Sequence, residues 1–216
     1  MAPRWFEIET GLEHDHPTEG DNDVLIPVVL KLGLARRWQF ELQGGGEQPP
    51  GGRLGLGDMS LALKWRLSDR LGPLGRFAVQ GALKLPTGSE SAGRGTGTTD
   101  GSLLLISSNS IGPAELDVNL GYTRRGGDGS TAPKEAWLWT VASGFPLKGV
   151  IGGTVEIYGL PATSGPAGAP NLVAGLGGLT WQVHPWLVLD AGTIIAIEGP
   201  QAFALFAGMT WNVGRL

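Results

Sequence analysis

Two histidines and several carboxylates crowd together near the start of the chain. The cluster comprises His14, Asp15, His16, Glu19, Asp21 and Asp23. Imidazole and carboxylate groups at this proximity could ligate a divalent cation. Their spacing matches no closed set of metal ligands, so a solvated, flexible loop is the stronger interpretation. We therefore predict no metal site.

Other arrangements that could support catalysis or cofactor binding are weak. The run Gly93-Arg94-Gly95-Thr96-Gly97 is glycine-rich, but no helical period follows it, as a phosphate-binding loop would require. Of three histidines, none is paired with a serine by a recognisable hydrolase motif, although a triad assembled in space stays open. Cysteine is absent, which excludes disulfides and cysteine-based metal or redox sites. The sequence predicts a protein that is not an enzyme and has no catalytic residues or cofactor.

The remaining charged side chains recur at alternate positions. Between residues 58 and 67, Asp58, Lys64 and Arg66 share one parity, whereas Met59 and Trp65 fall on the other. The same separation recurs at 114–123 and 203–213. Successive strand side chains point to opposite faces, so these segments predict β-strands with one apolar and one polar face.

About twelve such segments cover the chain. They are predicted near residues 3–12, 23–33, 37–45, 57–67, 75–86, 99–109, 113–123, 135–145, 149–159, 171–183, 186–197 and 202–214. Each has roughly the 9 to 11 residues that a tilted strand needs to cross a bilayer. Pro27 is expected to mark a bulge, because proline cannot donate to the ladder.

The connections between these strands alternate short with long. The short ones are predicted at 33–36, 68–74, 110–112, 146–148 and 184–185, and the long ones at 13–22, 44–56, 87–98, 124–134 and 160–170, with a shorter sixth around 198–201. Short periplasmic turns and longer extracellular loops are typical of transmembrane up-and-down antiparallel β-barrels. We therefore predict such an all-β barrel of about twelve strands, with both termini in the periplasm.

Composition agrees with one membrane barrel domain spanning residues 1–216. Charged residues make up 17% of the chain and the mean hydropathy is +0.03, a neutral average that a barrel with a polar interior produces. No apolar run reaches the roughly 18 to 20 residues of a spanning helix. A net charge of −4 disfavours nucleic acid as a partner. The N-terminus lacks a secretory signal, so we expect that a signal has been removed.

Alternation alone does not say which face lies inside. About eight strands enclose an interior that side chains can fill, whereas about twelve enclose a wider lumen that an apolar face could not close. We therefore expect lipid outside and polar residues inside. The lumen candidates are Glu7, Glu9, Lys31, Glu41, Asp58, Lys64, Arg66, Arg76, Lys84, Asp100, Glu115, Asp117, Glu156 and Asp190. Such charges either tune solute passage, with a weak preference for cations, or form ion pairs that brace the lumen.

Aromatic residues are expected where the apolar slab meets water. The predicted interface residues are Trp38, Trp65, Trp181 and Trp211 at the periplasmic strand ends and Tyr122, Trp137 and Phe203 near the outer rim. Trp5, Tyr158 and Trp186 instead share the polar parity.

Several motifs resemble one family of outer-membrane β-barrels across almost the whole chain. They are Gly55-Leu56-Gly57-Asp58 leading to Leu63-Lys64-Trp65, Lys84-Leu85-Pro86-Thr87-Gly88-Ser89, and Leu116-Asp117-Val118-Asn119-Leu120-Gly121-Tyr122. The chain is similar to the family named for the Putative MetA-pathway of phenol degradation, which is described as transporter-like. That resemblance implies passage of hydrophobic or aromatic compounds.

The sequence thus predicts a monomeric channel in the bacterial outer membrane. Its partners would be outer-membrane lipid and small solutes, which diffuse passively and with weak selectivity through a polar lumen. Two alternatives remain: a plugged barrel that interacts through its loops, and a soluble β-barrel that binds a ligand.

Overall fold

The computed structural model describes residues 2–69 and 75–216. The strands are β1 (Trp5–Pro17), β2 (Asp23–Ala35), β3 (Trp38–Gln48), β4 (Gly55–Leu56), β5 (Met59–Ser68), β6 (Arg76–Leu85), β7 (Asp100–Ile111), β8 (Ala114–Arg125), β9 (Glu135–Lys148), β10 (Ile151–Leu160), β11 (Leu172–His184), β12 (Leu187–Glu198) and β13 (Gln201–Arg215). One 3-10 turn, Glu90–Ala92, lies in the connection between β6 and β7. Within the described residues no helix is long and apolar enough to span a bilayer.

Twelve of these strands close into an antiparallel barrel. Each pairs with its neighbours in chain order, β1 pairs with β13, and the two-residue β4 lies outside the ring and pairs only with β3. Closure leaves no unpaired sheet edge, which is what a lipid environment requires of a β-structure. The predicted strand number and up-and-down order are confirmed.

The two faces of the sheet differ as the alternation predicts. On β5, Leu61, Leu63 and Trp65 are 39 to 43% exposed on the outer surface, whereas Ala62 between them is 2% exposed. The same apolar exterior continues at Leu179, Ile195 and Leu205 on the far side of the barrel. Leucine and tryptophan therefore cover the outside and charged groups lie inside, an arrangement inverted relative to a soluble protein.

Several strands extend beyond their predicted ends. β1 continues through His14 and His16 to Pro17, so the first five residues of the predicted 13–22 loop are strand, and β3 runs to Gln48 rather than ending at 45. β9 likewise continues through the predicted 146–148 turn, and Gly149 makes the turn with a φ of 60°. Residues 70–74 of the predicted 68–74 turn lie outside the described residues.

The predicted bulge at Pro27 is wrong. Pairing with β3 passes through Pro27 and Gly45 without a register shift. Pairing with β1 instead resumes at Leu25 after stopping at Val28, so Ile26 and Pro27 are skipped. The missing N–H of proline is accommodated by this local gap, and Gly45 opposite has a φ of 141°.

Candidate functional site: the barrel interior

A buried group of charges lies near the extracellular end of the lumen. Lys84 Nζ lies 2.6 Å from Asp58 Oδ2 and 3.1 Å from Asp100 Oδ2, and Arg125 approaches the same Asp100 oxygen at 3.9 Å. The strand register explains the meeting, because Lys84 on β6 is paired directly with Asp100 on β7 and with Ser60 on β5. The Asp58 and Asp100 side chains are only 9% and 4% exposed.

Asp58 also anchors the connection that joins β6 to β7, residues 86–99, which we call the inner loop. Its Oδ1 accepts the backbone N–H of Gly88 at 3.0 Å, and its Oδ2 accepts that of Thr96 at 3.1 Å. Lys84 donates to the Thr96 hydroxyl. One carboxylate thus holds both limbs of the inner loop against the barrel.

The protonation of Asp58 reflects these contacts. Burial on its own would raise the pKa of this carboxyl, but the hydrogen bond from Lys84 and those from the Thr96 and Gly88 N–H groups bring the pKa below its ordinary value. Asp58 is therefore a carboxylate at neutral pH. Beside it lies a cavity of about 470 Å³, lined by Asp58, Lys84, Thr96, Asp100 and Arg125 among others.

Two further groups brace the lumen. Lys31 bonds Glu7 at 3.3 Å and also pairs with Glu9. Glu41, which is 5% exposed, accepts amide hydrogen bonds from three glutamines. These are Gln39 and Gln43, each at 2.7 Å, and Gln80 at 3.3 Å. Neutral amides thus stabilise this buried carboxyl, which has no ion pair with any described residue.

The other predicted lumen residues divide into two groups. Near the periplasmic end, Arg76 bonds Glu115 at 2.7 Å, Arg66 lies 3.1 Å from Asp69, and Asp117 accepts from Ser108. Glu156 and Asp190 lie on β10 and β12, on another part of the wall. Among the described residues, nine of the fourteen charges therefore form ion pairs, Glu41 and Asp117 accept hydrogen bonds from neutral groups, and Lys64, Glu156 and Asp190 lie outside the ion pairs.

An apolar patch on the inner wall was missed from the sequence. Ala174, Ile194 and Ala204 are 0 to 5% exposed, and Tyr158, Leu176 and Phe206 pack against them. The Phe206 ring approaches Gly192 closely, since a Cβ there would lie 2.6 Å from its Cζ. The parity of Tyr158 and Phe206 was the available signal, because both fall on the polar face of their strands.

This patch borders a cavity of about 330 Å³ that is mixed in character. Its lining includes Pro27, Val29, Leu176 and Phe206 together with the carboxylates of Glu9, Glu13 and Asp190. An apolar ring could lie on Phe206 while a donor group on the same molecule reached a carboxylate. The mixture can therefore accommodate a small ring-bearing solute.

The predicted interface aromatics lie on the outer surface in pairs. Trp38 and Trp65 stack with centroids 5.3 Å apart at the periplasmic end, and Tyr122 and Trp137 contact at 4.8 Å on β8 and β9. Trp181, Trp211 and Phe203 are 40 to 49% exposed. Trp5 instead donates to Asn212, so it points inward as its parity indicates.

The histidine cluster does not converge on one point. Because residues 13–17 are strand rather than loop, His14 and His16 lie on one face of β1 and Glu13 and Asp15 on the other. His16 stacks on Phe203 at 4.4 Å, on the outside. Within residues 2–69 and 75–216, no group of three or more potential ligands could hold a metal ion.

Comparison with known proteins places these features in a family. The model of the family described as Putative MetA-pathway of phenol degradation matches residues 6–211. No curated protein matches the sequence.

Solved structures with the same architecture include three described as a channel, a porin and a transporter. The COG4313 outer membrane channel from Pseudomonas putida F1 superimposes with a TM-score of 0.74 at 11% identity, covering 98% of this chain and 96% of that chain. The NanC porin superimposes with a TM-score of 0.68 at 7% identity, covering 96% of this chain and 100% of the porin. The Ralstonia pickettii toluene transporter TbuX superimposes with a TM-score of 0.50 at 10% identity, covering 98% of this chain and 90% of the transporter.

At such identities the likeness establishes the fold, which is that of bacterial outer-membrane β-barrels. The apolar outer surface agrees with that location. With residues 6–211 matched, the chain belongs to the Putative MetA-pathway of phenol degradation family, as its motifs indicated.

Proposed function

We propose that this protein is an outer-membrane channel through which small solutes diffuse passively and with weak selectivity. The observation that carries the proposal is the inverted barrel, apolar outside, with ionisable residues around cavities inside. A lipid-covered ring of strands with a hydrated, charged interior is the arrangement of a pore.

Planar-bilayer recording of the purified barrel tests the proposal. We expect discrete single-channel steps in KCl, and a small reversal potential in a salt gradient that indicates cation preference. Glu9, Glu13 and Asp190 support that preference because they line the same cavity. Absence of steps from correctly folded protein would favour the plugged barrel, which the Asp58–Lys84–Asp100 group supports.

Among solutes, we propose small hydrophobic or aromatic molecules that carry a hydrogen-bond donor. The inner apolar patch beside three carboxylates supports this class, as do the family's description and the toluene transporter among the similar structures. A ring would contact Phe206 and Leu176, and its donor would reach a carboxylate.

Substitution of Phe206 tests the solute class. In liposomes, Phe206→Ala should lower phenol uptake relative to glycerol by about fivefold, because an aromatic contact contributes roughly 1 kcal/mol. Phe203→Ala is the matched control, since Phe203 lies on the same strand but on the outer face. Equal ratios of phenol uptake to glycerol uptake in the two variants would contradict the proposal that the inner apolar patch contacts aromatic solutes.

A further inference from the structure

Five basic side chains converge at the periplasmic end of the lumen. They are Arg36, Arg37, Lys64, Arg66 and Arg76, and they line one cavity of about 300 Å³. The fold brings them together from three places. Arg36 and Arg37 form the turn between β2 and β3, Lys64 and Arg66 lie near the end of β5, and Arg76 begins β6. The backbone confirms this proximity, since Arg66 N–H donates to the Arg37 carbonyl at 2.9 Å.

Nearby carboxylates neutralise this cluster only in part. Asp69 lies 3.2 Å from Arg37 and 3.1 Å from Arg66, while Glu115 holds Arg76. Asp117 is engaged by the Ser108 hydroxyl, which also lines the cavity.

Two basic groups retain unused capacity for an anion. Arg36 and Lys64 have no carboxylate within 4 Å among the residues the structure describes. Arg66 adds positive charge to the same lining, and its buried Nε lies 3.1 Å from Asp69 Oδ1. Donors left without partners in a concave site favour an anionic oxygen acceptor.

Part of the lining of this cavity is apolar and adjoins the basic residues, because Ala78 is the direct strand partner of Arg66. Ala78 on β6 is 6% exposed, and Ile106 is its directly paired neighbour on β7. A ligand that contacted both the basic and the apolar residues would carry an anionic group joined to a compact hydrocarbon part. Lys64 also lines the adjoining cavity of about 500 Å³ at the periplasmic mouth, so such a ligand would lie on the exit path.

We propose that this basic cavity binds small monocarboxylates that carry a hydrocarbon group. The carboxylate would accept hydrogen bonds from Lys64 Nζ and the Arg36 and Arg66 guanidinium groups, and the hydrocarbon part would lie against Ala78 and Ile106. The inference rests on the proposed pore for access to the site. It adds a basic site at the periplasmic end of a lumen whose mixed cavity is lined by carboxylates.

Sided block of single channels tests the proposal. Benzoate added to the periplasmic side should reduce the current at lower concentration than benzoate added to the extracellular side. Benzamide and benzylammonium, which keep the ring but lose or reverse the charge, should not block from the periplasmic side. Inorganic phosphate should block more weakly than benzoate, because it has no group to contact Ile106.

The double variant Lys64→Gln with Arg36→Gln should weaken periplasmic benzoate block about tenfold, a loss typical of charge-assisted hydrogen bonds. Neither residue forms an ion pair with a described carboxylate, so neutralising them leaves none of those carboxylates unpaired. Lys134→Gln is the control for loss of a positive charge elsewhere, because Lys134 is exposed in an extracellular loop.

Equal block from both sides, or block unchanged in the double variant, would overturn the basic site. If phosphate blocked as strongly as benzoate, the assigned role of Ala78 and Ile106 would be wrong. If no conductance were seen, equilibrium dialysis of benzoate against detergent-solubilised protein would separate the two proposals. Benzoate binding that is lost in the double variant would keep the site and reject the pore, whereas no binding would reject both.

Discussion

At the scale of single residues, Asp58 has the largest structural role in the lumen. It lies immediately before β5, accepts three hydrogen bonds, and joins the inner loop to Lys84. A carboxylate suits this position because it accepts several donors at once and neutralises the lysine. The motif Gly55-Leu56-Gly57-Asp58 marked the residue in the sequence, but not the loop that it holds.

Asp58→Asn should loosen the inner loop by about 2 kcal/mol, because a charge-assisted hydrogen bond is replaced by a neutral one. We expect trypsin to cleave after Arg94 about thirty-fold faster in the folded barrel, if cleavage follows the population of the open loop. Asp128→Asn, in an exposed loop, is the control. Cleavage at the wild-type rate would contradict the anchoring role.

The lowered pKa of Asp58 predicts a pH dependence with a definite sign. A carboxyl whose pKa is depressed in the folded state stabilises its contacts above the ordinary aspartate pKa. The stabilisation declines as pH falls below that value and is lost once pH passes the shifted pKa. Arg94 cleavage should therefore be constant near neutrality and rise only in acid. The Asp58→Asn variant should lack that rise, and an increase already present between pH 7 and 6 would contradict the assignment.

At the scale of elements, the inner loop depends on the small size of its glycines. A Cβ on Gly95 would lie 2.5 Å from the Asp58 Oδ1 atom, and Gly97 has a φ of 67°. The glycine-rich run that could suggest a phosphate cradle instead lets the backbone approach a carboxylate. Its function is to fold the loop against the barrel.

Gly95→Ala should therefore displace the inner loop and raise Arg94 cleavage, as Asp58→Asn does, because the added methyl group meets the Asp58 carboxylate. Gly81→Ala is the matched control, since a Cβ there meets nothing within 4 Å. We expect the control to match the wild type in cleavage and in single-channel conductance. Equal rates of Arg94 cleavage in the two alanine variants would show that the close approach of Gly95 to Asp58 is unimportant.

At the scale of the whole molecule, stability comes from a closed hydrogen-bonded ring rather than from a central apolar core. Among the residues that the structure describes, few hydrophobic side chains are buried, and a buried apolar cluster lies on the inner wall of β11 to β13. Closure couples all twelve strands, because opening any one pair would expose two sheet edges to lipid.

Such a barrel should resist denaturation by detergent at room temperature. We expect unboiled protein in dodecyl sulfate to migrate differently from boiled protein, and to partition into the detergent phase on extraction. Identical migration of the two samples together with recovery in the aqueous phase would contradict the membrane barrel.

The sequence alone determined the strands, their order and the identity of the two faces. Period-two alternation is a local property of the backbone, so the segments around Asp58–Leu67 and Ala114–Thr123 could be read without knowing what they contact. Apart from the bulge predicted at Pro27, the errors in the strands lay at their ends, as at His14 and His16, where pairing with β13 and β2 extends β1 beyond the apolar pattern.

Only the tertiary structure decided which inward-facing groups meet. Lys84 joins Asp58 and Asp100 because of strand register and the path of the inner loop, and the Phe206 patch forms because glycines on β11 and β12 leave room for the ring. The pairing of successive strands brings Arg36 and Arg76 into one basic cavity although they are distant in sequence. Alternation specifies the face of each side chain but not its neighbour across the lumen, because that neighbour depends on register accumulated around the whole ring.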